Sequence, residues 1–420
     1  MISSILVAKG TGTGYPPAPD DVTAGRGPQE PRSRGGHPEG RNHAPRVMML
    51  VLASALLCGV ACGGRTASGP DTVELPPADP AAVREYLAGI RLMQKQGNRF
   101  QRRALARFRK AVQIDPNLWE AHYNLGVMQR RQGDLADASG SFDRALEINP
   151  SASEPLLAAA EVSYAQGDGD AAADRLETLL RQDEDNLAAR VALAVILREN
   201  ERYGPALEQA REVLIREPSN VRALLEVGRI YRAREQYDVA QLVLGKALQL
   251  TGEENATLRA EIQNEQGLLE LDRGDTQAAF VAFEAAITLD ASYKPARMNQ
   301  GSVLLNAGDY AGAQAQYEAV LAQDRDDVAA RVALGVTYRG QGEMRRARRE
   351  YERVLRDDPD HPDAVLNLGI LRAEFVDERE QSRENFEHFL RVAPGRHPGR
   401  PLAEEFLQLI PAPNAPGGPP

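Results

Sequence analysis

A small residue returns along this chain at Gly126, Ala160, Ala194, Gly228, Gly267, Gly301, Gly335 and Gly369. Six of the seven steps are 34 residues and one is 39. A fixed period of this length means that one supersecondary unit is copied along the chain. A single copy cannot bury its own apolar stripe, so neighbours must stack into a continuous core. The rest of the frame repeats with the small residue. Leu125-Gly126 is followed by Gly133-Asp134, Ala138, Phe142, Ala145 and Pro150. The same offsets return at Leu334-Gly335, Gly342, Ala347, Tyr351, Val354 and Pro359, and at Gly301, Gly308, Ala313, Tyr317 and Val320. The unit reads as two helices joined by a glycine-containing turn.

This frame resembles the tetratricopeptide repeat (TPR), from about Pro80 to Pro394. The resemblance implies an all-α chain, an α-solenoid of about nine helical hairpins over residues 80–395 with a capping helix after it. Eight units are clear, and a ninth leads them with Gly97, Ala104, Phe108, Ala111 and Pro116. At the Gly126 and Ala138 series the two helices of a hairpin approach closely. The large residues Phe142, Leu176, Leu244, Phe283, Tyr317, Tyr351 and Phe386 are expected to wedge between neighbouring hairpins, each burial contributing roughly 1.5–3 kcal/mol. Pro116, Pro150, Pro218 and Pro359 end helices, since proline lacks a backbone donor. Asp79 before Pro80 is a start signal for the first helix. The step of 39 places five added residues around Thr251–Asn255. Pro401–Ile410, with Leu402, Phe406, Leu407 and Ile410, reads as the cap within 396–420, and the Pro- and Gly-rich tail from Pro411 reads as disordered.

The N-terminal region has a different character. Residues 1–46 are rich in glycine and proline and lack apolar periodicity, so they read as a disordered leader. Then comes an uncharged apolar run, Val47–Ala61, preceded by Arg41 and Arg46. It is shorter than the ~20 residues that cross a bilayer, and it fits the basic and apolar regions of a secretory signal. Gly59-Val60-Ala61-Cys62 resembles the lipobox of bacterial lipoproteins. That resemblance implies lipidation of Cys62, a flexible tether over 62–79, and, because Gly63 rather than Asp follows, an outer-membrane anchor facing the periplasm. Two readings of the leader stay open: a genuine extension, or a start that truly lies near Met48.

Composition narrows the function. A formal net charge of −10 argues against a generally basic nucleic-acid binder. The two cysteines form no disulfide framework and no Cys/His cluster, and His361, His388 and His397 match no metal-ligand spacing. No phosphate loop, dinucleotide fingerprint, nucleophile elbow or zinc-protease motif is present. The expectation is a protein without catalysis, cofactor or metal.

What remains is binding. In TPR proteins the first helix of each hairpin lines a groove. By that resemblance the lining positions are a mostly apolar set (Tyr123, Leu157, Val191, Leu225, Met298, Val332, Leu366) and a mixed set that includes Val127, Glu161, Val195 and Arg229. A third set carries Arg130, Arg198, Arg232 and Arg339. Such a floor with an arginine edge suits an extended or helical segment with apolar anchors and acidic residues. Two basic clusters stand apart: Arg99, Arg102, Arg103, Arg107, Arg109 and Lys110; and Arg345 to Arg353, where i,i+4 pairs Arg346–Glu350 and Arg348–Glu352 are expected. The chain resembles TPR lipoproteins of adventurous gliding motility and, more distantly, type IV pilus pilotins. The resulting expectation is a membrane-anchored scaffold binding envelope proteins, with peptidoglycan as a possible partner. A cytosolic TPR adaptor or a cell-wall-binding accessory protein is the alternative.

Overall fold

The computed structural model describes residues 75–410 apart from 96 and 375–377. The leader 1–46, the apolar run 47–61, Cys62, residues 63–74 and the tail 411–420 lie outside the described residues. Within the described residues there are 19 helices and no strand, and no helix is long and apolar enough to cross a membrane. The chain divides into two compact units that part after Ala247, within the last turn of the helix Tyr237–Leu250.

The first unit holds five hairpins: α1 (Pro80–Met93) with α2 (Asn98–Ile114), α3 (Trp119–Gln132) with α4 (Leu135–Ile148), α5 (Ser153–Ala165) with α6 (Gly169–Gln182), α7 (Leu187–Glu199) with α8 (Tyr203–Arg216), and α9 (Val221–Ala233) with α10 (Tyr237–Leu250). The second unit holds four: α11 (Ala256–Arg273) with α12 (Thr276–Leu289), α13 (Lys294–Asn306) with α14 (Tyr310–Gln323), α15 (Val328–Gly340) with α16 (Met344–Asp357), and α17 (Pro362–Glu374) with α18 (Arg379–Val392). A last helix, α19 (Arg400–Leu409), packs on α18. Each unit taken by itself is a stack of antiparallel helical hairpins, the architecture of an α-solenoid. Within a unit, consecutive first helices also touch side by side, as α3 with α5, α7 with α9, and α13 with α15.

Local chemistry sets the helix ends. The Asp79 carboxylate accepts the backbone N–H groups of Ala81 and Ala82, with Pro80 at the first helical position, so α1 starts where two orphan donors find a partner. Asp168, Asn186, Asn220, Asp275, Asp309 and Asp327 cap α6, α7, α9, α12, α14 and α15 in the same manner. In five hairpins the chain passes between the helices through one left-handed glycine, Gly133, Gly167, Gly274, Gly308 and Gly342. In two hairpins the same place holds Glu201 and Glu235, each at φ 59°. An L residue there costs roughly 1–2 kcal/mol. Glu201→Gly and Glu235→Gly are therefore expected each to raise stability by about 1 kcal/mol, read as a higher urea midpoint with unchanged slope; a lower midpoint would contradict the strain.

The packing of the large residues differs from the sequence reading. The rings do not act only as wedges between hairpins. A Cβ placed on Gly126 would lie 2.7 Å from the Phe142 ring, and the same holds for Gly267 and Phe283 at 2.5 Å and for Gly301 and Tyr317 at 2.7 Å. Each ring packs closely against the glycine of its own hairpin, and Phe142 also joins the core beyond, with Ala158, Ala159 and Val162 of α5. The leading hairpin follows this rule through Gly89, which faces Phe108 at 2.6 Å, while Gly97 lies in the turn before α2, the place its register with Gly133 gave it.

The five added residues also settle differently. The loop 251–255 is one residue longer than 217–220, and the other four lengthen α11 by about a turn, to 18 residues. At the far end α19 seals the last hairpin. Phe406 stacks on Phe386 at 4.8 Å, Arg383 donates to the Ile410 carbonyl at 2.7 Å, and Arg400 donates to the carbonyls of Leu390 and Ala393.

Candidate peptide-binding face

Helical spacing brings the three groove sets onto one side of the first helices, and packing then decides how much of each side chain remains accessible. In the first unit Leu225 is fully buried, Val127, Val191 and Val195 are buried, and Arg229 is buried as well. Tyr123, Leu157 and Tyr164 on α3 and α5 stay half-buried and present apolar surface. In the second unit Val332, Val336, Leu366 and Ile370 are buried, whereas Leu268 and Leu271 on α11 and Met298 and Leu305 on α13 are half-buried. Each unit therefore has an accessible apolar stretch of its own, at α3–α5 and at α11–α13.

The arginines do not form the free edge that the sequence suggested. Arg130 on α3 pairs with Glu161 on α5. Arg198 on α7 reaches Glu226 on α9 at 2.9 Å and Glu199 at 2.8 Å, and Arg229 holds the other oxygen of Glu226 at 2.6 Å. Arg339 on α15 faces Glu374 on α17 at 3.9 Å. Arg232 is half-buried on α9. Arg130–Glu161, Arg198–Glu226 and Arg339–Glu374 link one hairpin to the next, and the other two pairs lie within a helix, so much of the charge on this face is neutralised within the array. Burial would push the Glu226 carboxyl up, but the two guanidiniums outweigh it and hold the group below its ordinary value. Arg198 is held above its ordinary value for the same reason: burial opposes its charge, and Glu226 and Glu199 more than offset that.

Glu226 was missed from the sequence, and the signal was there. It stands at i,i+3 to Arg229, two positions before Gly228, where the two preceding units carry Ala158 and Ala192. The second basic cluster also re-sorts. Arg346 pairs with Glu343, Arg348 with Glu378, and Glu350 with Arg331, so the expected i,i+4 pairs give way to ties that mostly run between helices. His388 and His397 each meet one carboxylate, of Asp360 at 2.8 Å and Asp363 at 3.2 Å, and the His397 Nδ1 accepts the Gly399 N–H. Among the described residues no group of His, Cys, Asp and Glu could hold a metal ion.

Stacked hairpins with a 34-residue frame, a left-handed turn residue in most copies and a small residue set against a buried partner of the second helix define a repeat protein of the helix-turn-helix class, whose arrays mediate protein–protein interactions. Tetratricopeptide repeat models match residues 119–152, 157–209, 198–251, 270–334 and 304–369, together more than half of the chain. The chain belongs to the tetratricopeptide repeat family. Cellulose synthase 1 operon protein C of Komagataeibacter xylinus is 28% identical over 37% of this chain and 12% of its own length. Anaphase-promoting complex subunit 3 of Schizosaccharomyces pombe is 25% identical over 43% of this chain and 27% of its own. The chain thus spans less than a third of the length of either relative. Among solved structures, PilW, a widely conserved type IV pilus biogenesis factor, covers 54% of this chain and 100% of its own with 17% identity and a TM-score of 0.45.

Proposed function

We propose that this protein is a non-catalytic scaffold, anchored through Cys62 to the outer membrane and facing the periplasm, that holds an extended or helical segment of an envelope protein. The observation that carries the binding role is the accessible apolar surface of Tyr123, Leu157 and Tyr164 in one unit and of Leu268, Leu271, Met298 and Leu305 in the other. Because neighbouring carboxylates already engage Arg130, Arg198, Arg229 and Arg339, the partner's anchors are apolar and aromatic rather than acidic. The anchor rests on the sequence around Ala61-Cys62. Several acyl chains at one cysteine hold a protein far more firmly than a single chain, at about 0.8 kcal/mol per buried methylene. Gliding motility and pilus assembly are the envelope machines this composition suits.

Two measurements test the reading. A photo-crosslinking residue at Tyr164 or Met298 should trap the same envelope protein in cells, and Leu157→Glu or Leu271→Glu should abolish that adduct while helicity is kept. Labelling from the exposed position Arg353 alone would refute the groove. Cys62→Ala should move the protein from the membrane to the soluble fraction; a wild-type protein already soluble in the cytosol would establish the adaptor alternative.

A further inference from the structure

Charge along the array is uneven. Residues 80–114, the first hairpin, hold nine Lys and Arg and a single acid, Glu85, in a chain whose formal net charge is −10. α2 itself has no acidic residue. Its buried side is formed by Ala104, Leu105, Phe108 and Ala111. At roughly 100° per residue, Arg99, Arg102, Arg103, Ala106, Arg109, Lys110 and Gln113 fall on the opposite half of the helix, and all of them are exposed.

Among the described residues Glu85 pairs with Arg107, at 2.5 Å, and Lys110, at 2.7 Å. Arg99, Arg102, Arg103 and Arg109 have no carboxylate partner among the described residues. Contrast α16, where Glu350 and Glu352 interrupt the arginines and Arg346 and Arg348 are paired. Like charges crowded on one helix destabilise it slightly, so an uninterrupted basic face in an acidic protein fits a complementary anionic surface. The position of the face selects that surface. α2 belongs to the hairpin next to Cys62, and residues 63–79 reach at most about 60 Å when extended.

We propose that the outer face of α2 docks the first hairpin on the anionic phospholipid headgroups of the membrane that holds the anchor. Each exposed cation contributes attraction worth roughly a five-fold change in partition, so the four unpaired arginines together are worth on the order of several hundred-fold. The attraction fades with salt, because the Debye length is only about 10 Å at 0.1 M. The proposal extends the anchored reading, and its test does not need acylation.

The mature chain from residue 62 on, carrying Cys62→Ser, is sedimented with vesicles of phosphatidylcholine alone or mixed with phosphatidylglycerol. Binding to the anionic vesicles should exceed binding to the neutral ones by roughly a hundred-fold or more at low salt. Arg102→Glu/Arg103→Glu/Arg109→Glu should abolish the difference with circular dichroism unchanged. Arg345→Glu/Arg349→Glu/Arg353→Glu, the same change in net charge placed on α16, should keep it. No preference for anionic vesicles, or equal loss from both triple variants, overturns the proposal. So does pelleting with purified peptidoglycan but not with vesicles. The anchor itself is judged separately, by the fractionation of Cys62→Ala, so either idea can fail alone.

Discussion

Glu226→Ala is expected to destabilise the first unit by about 3 kcal/mol or more, the range for breaking one side of a buried ion pair. Glu226 is only 3% exposed and accepts from two guanidiniums, Arg198 at 2.9 Å and Arg229 at 2.6 Å. Removing it leaves two positive charges in a poorly solvated place, with Glu199 beside Arg198 as partial compensation. Adding Arg198→Leu, the residue type of Leu271 and Leu305 at the same repeat position, should recover part of the loss, because it withdraws one of the stranded charges. Urea unfolding followed by circular dichroism measures both. A double variant weaker than the single one would refute the ion-pair account.

The pH dependence follows with a definite sign. Glu226 lies below its ordinary value of 4.5 in the folded protein and returns to it on unfolding. Its contribution is thus complete above that ordinary value and is lost as the pH falls through the lower folded value. Glu226→Gln should accordingly flatten the stability curve on the acid side and leave its slope near neutrality alone.

Gly267→Val is the second large effect, with an expected loss of about 3 kcal/mol from overpacking. Even the first added carbon would sit 2.5 Å from a Phe283 ring that is fully buried. Phe283→Leu in the same chain should relieve much of the clash. The chain has made this exchange itself: Gly126, Gly267, Gly301 and Gly335 face Phe142, Phe283, Tyr317 and Tyr351. Where the small residue is Ala160 or Ala194, the residue sixteen positions on is Leu176 or Ala210, and all four of these are buried in one core cluster. A thermal melt in which Phe283→Leu adds to the damage of Gly267→Val, rather than reducing it, would exclude this complementarity.

Much of the fold can be read from particular residues. Pro116, Pro150, Pro218 and Pro359 each stand two residues past a helix end, at Ile114, Ile148, Arg216 and Asp357. Asp79 caps α1 as its place before Pro80 suggested. The candidate face was less legible. Spacing placed Arg130, Arg198 and Arg339 on one side of their helices, but it did not indicate that Glu161, Glu226 and Glu374 meet them from the next hairpin. Those partners lie 28 to 35 positions along the chain. The small residue of the leading hairpin, Gly89, was missed because it lies 37 residues before Gly126, three more than the 34-residue step.

The sequence by itself therefore determined the repeat, the hairpin, the turn residues and the helix caps, because each depends on neighbours within about a turn of helix. Only the tertiary structure decided which arginines are neutralised, which apolar side chains stay accessible, and that four of the five added residues extend α11 instead of its loop. Those outcomes depend on how two helices are rotated and spaced against each other. That is a property of packed pairs, which a one-dimensional period does not specify.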